Sequence, residues 1–173
     1  MKRWGKVSIL AALVGIAGAA SALAQSTQST DGVIQPGEYS IDRIDGPSHI
    51  YASFDDGKIH LAIVGETKGW VAIGVDSKRM NGAKIFMGYV DGNGESFTTQ
   101  AGVRHSHHDS SEFEALAHAV AQTGNRTTME IELDRSAFLG PGQSALNIIY
   151  AVGNNDSFRE YHSFHGTTTL AVQ

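Results

Sequence analysis

The 173-residue chain contains no cysteine, only three prolines and, after its first two dozen residues, no long apolar run. Without cysteine there can be no disulfide, no lipid-bearing cysteine, no thiol nucleophile and no iron–sulfur ligand set. Blue-copper ligation and covalent C-x-x-C-H haem attachment are excluded for the same reason. No G-x-S-x-G, H-E-x-x-H or phosphate-binding loop occurs, so the common hydrolase and nucleotide-transferase signatures are missing. The carboxylate pair Asp55-Asp56 sits beside Gly57, where turn formation accounts for it better than acid–base work. Nothing here argues for an enzyme.

The one apolar run lies at the start. "MKRWGKVSILAALVGIAGAASALA" has Lys2, Arg3 and Lys6 ahead of a stretch rich in Ala and Gly, then Ala22-Leu23-Ala24 as a small-x-small site. This order is that of a secretory signal peptide over 1–24, with cleavage expected before Gln25 and a periplasmic or secreted product. No other segment reaches the roughly 20 apolar residues of a membrane span. Loss of Lys2, Arg3 and Lys6 turns 13 basic against 18 acidic residues into 10 against 18, so −5 becomes −8. That balance argues against nucleic acid or anionic membrane as partner and leaves room for docking to a basic protein. Residues 25–31, "QSTQSTD", read as a polar linker, and 32–173 as one domain large enough for its own core.

Within that domain the apolar pattern has period two. "KIHLAIVG" alternates, "TTMEIELD" sets Met129, Ile131 and Leu133 against Glu130, Glu132 and Asp134, and "WVAIGV", "KIFMGYV" and "ALNIIYAVG" are nearly continuous apolar runs. Between them lie "FDDGK", "DGNG" and "GNND", which are turn sequences. The pattern predicts an all-β antiparallel sandwich or barrel. "EFEALAHAVAQ" (112–122) has helical spacing but sits in a β context, and is taken as strand.

Histidine is plentiful: eight, three of them in "RHSHHD" (104–109). If extended, His105 and His107 share a face with Asp109. Imidazole and carboxylate together suit Zn²⁺ or Cu²⁺, but no recognised ligand spacing appears and a solvated polar loop explains His105, His107 and His108 as well. Met80 is odder, an apolar thioether between Arg79 and Asn81. It either plugs a gap in the core or ligates a metal. Taken as a regular strand, 161–172 places His162 with Phe164, Leu170 and Val172, and His165 with Tyr161, Ser163, Thr167 and Thr169. An imidazole on an apolar face is either a hydrogen-bonded core-edge residue or a ligand, and Met80 is a possible partner.

The segments "GWVAIGVDSKRMNGAKIFMGYVDGNG", "TTMEIELDRS", "NIIYAVGNND" and "YHSFHGTTTLAV" resemble the DOMON domain, with "DGVIQPGEY" similar to its opening. The resemblance covers about residues 31–173. It implies an immunoglobulin-like antiparallel β-sandwich of about ten strands that is exported and binds haem or a sugar. In the haem-binding branch, which includes the cytochrome domain of cellobiose dehydrogenase, a Met and a His hold the iron; Met80 in "MNGA" and His162 in "YHSFHG" match those positions. The implied function is electron transfer by non-covalent haem b, with both axial positions filled and no open site for O₂. The partner implied is a separate redox protein or a small electron carrier. A non-catalytic sugar or small-ligand module on the same scaffold is the alternative. No catalytic domain follows in this sequence, so the monooxygenase activity of larger relatives is not expected.

Overall fold

The computed structural model describes residues 28–172, and the expected signal peptide lies outside them. Eleven strands are present: β1 (Ile41–Asp45), β2 (Ser48–Phe54), β3 (Lys58–Gly65), β4 (Val71–Val75), β5 (Lys84–Asp91), β6 (Gly94–Val103), β7 (Ser106–Asp109), β8 (Ala117–Thr123), β9 (Arg126–Asp134), β10 (Ala145–Gly153) and β11 (His162–Ala171). A single helical turn, α1 (Arg135–Phe138), joins β9 to β10; the Asp134 side chain caps it by accepting from the Ser136 N–H. The strands form two antiparallel sheets, one in the order β1-β2-β3-β9-β8 and the other β11-β10-β4-β5-β6-β7. This is the antiparallel sandwich expected of the sequence.

Alternation in the sequence sets the inner layer. Ile59, Leu61 and Ile63 of β3 and Met129, Ile131 and Leu133 of β9 face Val71, Ile73 and Val75 of β4 and Ile148, Tyr150 and Val152 of β10. Burying such side chains stabilises by about 1.5–3 kcal/mol each before the entropy of ordering is counted. Of segment 112–122, taken as strand, the part from Ala117 is strand β8, whereas 112–116 is irregular; Phe113 there turns edge-on to Phe86 at 5.6 Å and plugs the sandwich.

Two carboxylates fasten the start of the described chain. Glu130, fully buried on the outer side of β9, accepts hydrogen bonds from the Asp31 N–H (3.0 Å), the Gly32 N–H (2.6 Å) and the Tyr39 hydroxyl (2.7 Å). Burial and this carboxylate push the Tyr39 phenol far above its ordinary value. Glu38 accepts from the backbone N–H groups of Ser29 (2.9 Å) and Gln35 (2.7 Å). Residues 28–31, read as the end of a polar linker, are therefore bonded to the sandwich.

Candidate functional site

The outer face of the six-stranded sheet carries a second apolar cluster. Trp70, Ala72, Ala83, Ile85 and Met87 are buried there although no second sheet covers them, and Met80, Tyr89, Ile149, Ala151 and Phe158 pack against them. The Phe158 ring, from the β10–β11 loop, leans on Tyr89 with centroids 4.6 Å apart. The run "KIFMGYV" is apolar on both sides because β5 contributes to both clusters.

Met80 reaches this face from the β4–β5 loop. The loop lies flat on β6 because residue 102 is glycine: a Cβ there would stand 1.8 Å from the Met80 carbonyl oxygen. The Gly82 N–H donates to the Gly102 carbonyl (2.9 Å), the Gly102 N–H to the Ala83 carbonyl (2.9 Å), and the Arg104 N–H to Asn81 Oδ1 (2.8 Å). The thioether is half-buried against the outer cluster and takes no place in the main core.

The histidines of β11 depart from the expected parity. Val152 pairs with Phe164, but Gly153 pairs with His162, so Ser163 is an extra residue in the strand. Its hydroxyl donates to the Val152 carbonyl at 3.2 Å and holds the bulge. Beyond the bulge the faces exchange. Phe164, Thr168 and Leu170 turn inward, whereas His162 and His165 are both exposed on the outer face, their rings edge to face at 4.5 Å. The expectation that His162 shares the side of Phe164 and Leu170 is thus corrected, while His165 lies opposite those two as expected and so on the same face as His162. Regular alternation fails where one residue is inserted.

The "RHSHHD" segment also divides. Arg104 occupies a left-handed turn (φ 57°), and β7 begins at Ser106, so His105 is a turn residue and shares no strand face with His107. His107 pairs with Gly102, is half-buried and joins its Nδ1 to Gln100 Oε1; Gln100 Nε2 in turn donates to Asp109 Oδ1 at 2.9 Å. Burial holds the His107 imidazole below the usual histidine range. His162 is depressed too, by burial first and then by the neighbouring imidazoles of His165 and His107. Three imidazoles, from β7 and β11, therefore influence one region of this face. Among the described residues no group of three or more His, Asp or Glu side chains is arranged to hold a metal ion, so His105, His107 and His108 do not make such a site.

Trp70 forms part of the floor. Its backbone is tied to the β10–β11 loop (Gly153 N–H to the Trp70 carbonyl, 2.8 Å; Trp70 N–H to the Asn155 carbonyl, 3.2 Å). The indole lies over Gly153, where a Cβ would stand 2.1 Å from Nε1, and Gly153 is the strand partner of His162. That Nε1–H is buried and has no acceptor. Solvent clefts of about 420 and 650 Å³ lie elsewhere, around α1, and contain none of these side chains.

The fold places the chain among two-sheet antiparallel β-sandwiches. Two solved structures share that fold: the cytochrome b domain of pyranose dehydrogenase from Coprinopsis cinerea (TM-score 0.58, 11% identity, 72% of this chain and 76% of that one) and the cytochrome domain of Myriococcum thermophilum cellobiose dehydrogenase (TM-score 0.53, 8% identity, 73% and 75%). A family 9 carbohydrate-binding module from Caldicellulosiruptor kristjanssonii, in complex with cellotriose, is more distant (TM-score 0.47, 14% identity, 82% and 79%). At such identities the likeness is one of fold. No family model and no curated protein matches the chain.

Proposed function

We propose that the outer face of the six-stranded sheet binds haem b and that the protein transfers electrons, with Met80 and His162 as the axial ligands. The observation that carries this reading is that a half-buried thioether and an imidazole both lie on the outer face of one sheet, which also carries an apolar cluster. The donor set fits an iron porphyrin. Ala72 and its cross-strand partner Ala151 bring only methyl groups to the centre of this face, where a flat macrocycle would approach the sheet. Burial, with the neighbouring His165 and His107 imidazoles, pushes the His162 ring below the usual histidine range, which favours the neutral form that can ligate. The partnerless Trp70 N–H is a donor that a carboxylate substituent of the ligand could satisfy.

Haem held between thioether and imidazole supplies one-electron exchange at a potential raised by the sulfur ligand. The chain's own part is positional. Gly102 lets the Met80 loop lie down, the Ser163 bulge turns His162 outward, and the apolar cluster would keep water from a group held there. The His165 ring lies edge to face against the His162 ring at 4.5 Å. The partner in this reading is a separate redox protein or a small electron carrier, met outside the cytoplasm after removal of the leader.

The test is an absorption spectrum of protein purified from the periplasm, repeated after addition of haemin. A six-coordinate, low-spin ferrous spectrum is expected, with haem fully extracted by acid–acetone. His162→Ala should abolish uptake or open a coordination position, Met80→Ala should retain haem with a changed ligand, and His165→Ala should stay six-coordinate. Colourless protein that takes up no haemin refutes the proposal; loss of haem in His165→Ala alone moves the ligand from 162 to 165.

A further inference from the structure

The cations of this acidic chain are unevenly placed. Among the described residues, Lys58, Lys84 and Arg126 sit in ion pairs, Arg43 donates to Thr168 Oγ1 (2.5 Å), and Arg135 donates to the Asp55 carbonyl. Lys68, Lys78, Arg79, Arg104 and Arg159 are exposed and take part in no side-chain ion pair or hydrogen bond. Three of these five, Lys78, Arg79 and Arg104, belong to the β4–β5 loop and the β6–β7 turn, which are bonded into one unit through Asn81 and Gly102. Within 77–82 and 103–105 there is no carboxylate. The nearest acidic residue along the chain, Asp76, is already bound to Lys84 Nζ at 2.7 Å. Val103, 46% exposed, and the half-buried Met80 give the patch an apolar centre.

We infer that this loop pair is the docking surface for an electron-transfer partner that presents a cluster of carboxylates. The inference rests on the function proposed above and names the chemistry of its partner. A small apolar centre ringed by charge of one sign is the usual anatomy of a transient, electrostatically steered contact. The sign is opposite to the −8 of the whole mature chain. At physiological salt the screening length is about 8 Å, so the remote negative surface is damped while the three cations meet the partner directly. A partner docked here sits on the loop that supplies Met80, beside the proposed iron site.

The experiment titrates the full mature protein with a ten-residue poly-glutamate peptide and follows backbone amide shifts at 0.1 M salt. Shifts confined to 77–82 and 102–105 are expected. Lys78→Gln, Arg79→Gln and Arg104→Gln combined should weaken binding about tenfold, since exposed ion pairs are individually weak and three are removed together. In the haem-loaded, reduced form, one-electron oxidation by the anion ferricyanide should slow in the triple variant, while oxidation by cationic hexaammineruthenium(III) should not. Shifts spread over other surfaces, equal peptide affinity in the variant, or an unchanged ferricyanide rate overturns the inference. Protein that binds no haem but shows the expected peptide shifts refutes the function while leaving the patch in place.

Discussion

Gly102→Ala tests how the Met80 loop is held. The new Cβ would stand 1.8 Å from the Met80 carbonyl oxygen, and side-chain Cβ atoms do not come within 3.0 Å of such atoms, so the loop must retreat by at least 1.2 Å. Three backbone contacts resist that retreat: Gly82 N–H to Gly102 carbonyl, Gly102 N–H to Ala83 carbonyl and Arg104 N–H to Asn81 Oδ1. Overpacking costs about 1–3 kcal/mol, and losing one of these hydrogen bonds while the others adjust about 0.5–1.5 kcal/mol, giving a loss of about 1.5–4.5 kcal/mol. For a domain of this size that lowers Tm by roughly 5–15 °C. Thermal unfolding followed by circular dichroism reads the loss, and the amide shifts of residues 80–83 show that the loop has moved. Gly92→Ala is the control, because nothing lies within 4 Å of its Cβ position. If Gly102→Ala melts with the parent and keeps its loop shifts, the close approach does not hold the loop.

Glu130→Gln should destabilise by about 2–4 kcal/mol in urea unfolding, because an amide cannot accept all three donors and turns an N–H₂ toward one of them; an unchanged midpoint would refute the bonding. The folded-state pKa of His162 and of His107 lies below 6.5, so in that range the unfolded chain binds more protons. Their contribution is complete above about pH 6.5 and is lost as pH falls through 6.5 toward the depressed values. The urea midpoint should drop between pH 7.5 and 5.5, and a His107→Asn, His162→Asn double variant should flatten that drop. Replacing His105 and His108 together by Ala should leave the stability and the ultraviolet spectra of the fold unchanged, since both rings are exposed and neither takes part in a hydrogen bond; a cooperative loss of structure would show a role that their surroundings do not reveal.

Period-two alternation made β3 and β9 legible, because one side of each is core and the other carries His60, Glu130 and Glu132. The buried runs β4, β5 and β10 were visible as strands, but nothing in their composition distinguishes an apolar outer face from an inner one. The second cluster therefore appears only once the sheets are assembled. β7 escaped notice because it is four residues long at a sheet edge, which also hid the difference between His107 and its neighbours. Met80 stood out from the start, since a thioether in a polar loop has little local reason to be there. The facing of His162 did not, because a bulge is set by hydrogen-bond register across to β10, and a single strand read alone carries no record of that register.

The extra residue in β11 makes strand register, rather than composition, the determinant of which groups reach the surface. Were Ser163 to pair with Gly153 in regular alternation, every histidine would stay in the chain, yet one end of the strand would turn over and direct the His162 ring into the sandwich, whereas deleting Ser163 would leave His162 opposite Gly153 and facing outward. A gap of one between residues 162 and 164 in an alignment is therefore compatible with the same site, while a slip of one in pairing is of the same consequence as replacing the histidine. Aligned by residue identity alone, two chains could each keep their histidines and still present opposite faces to the same ligand.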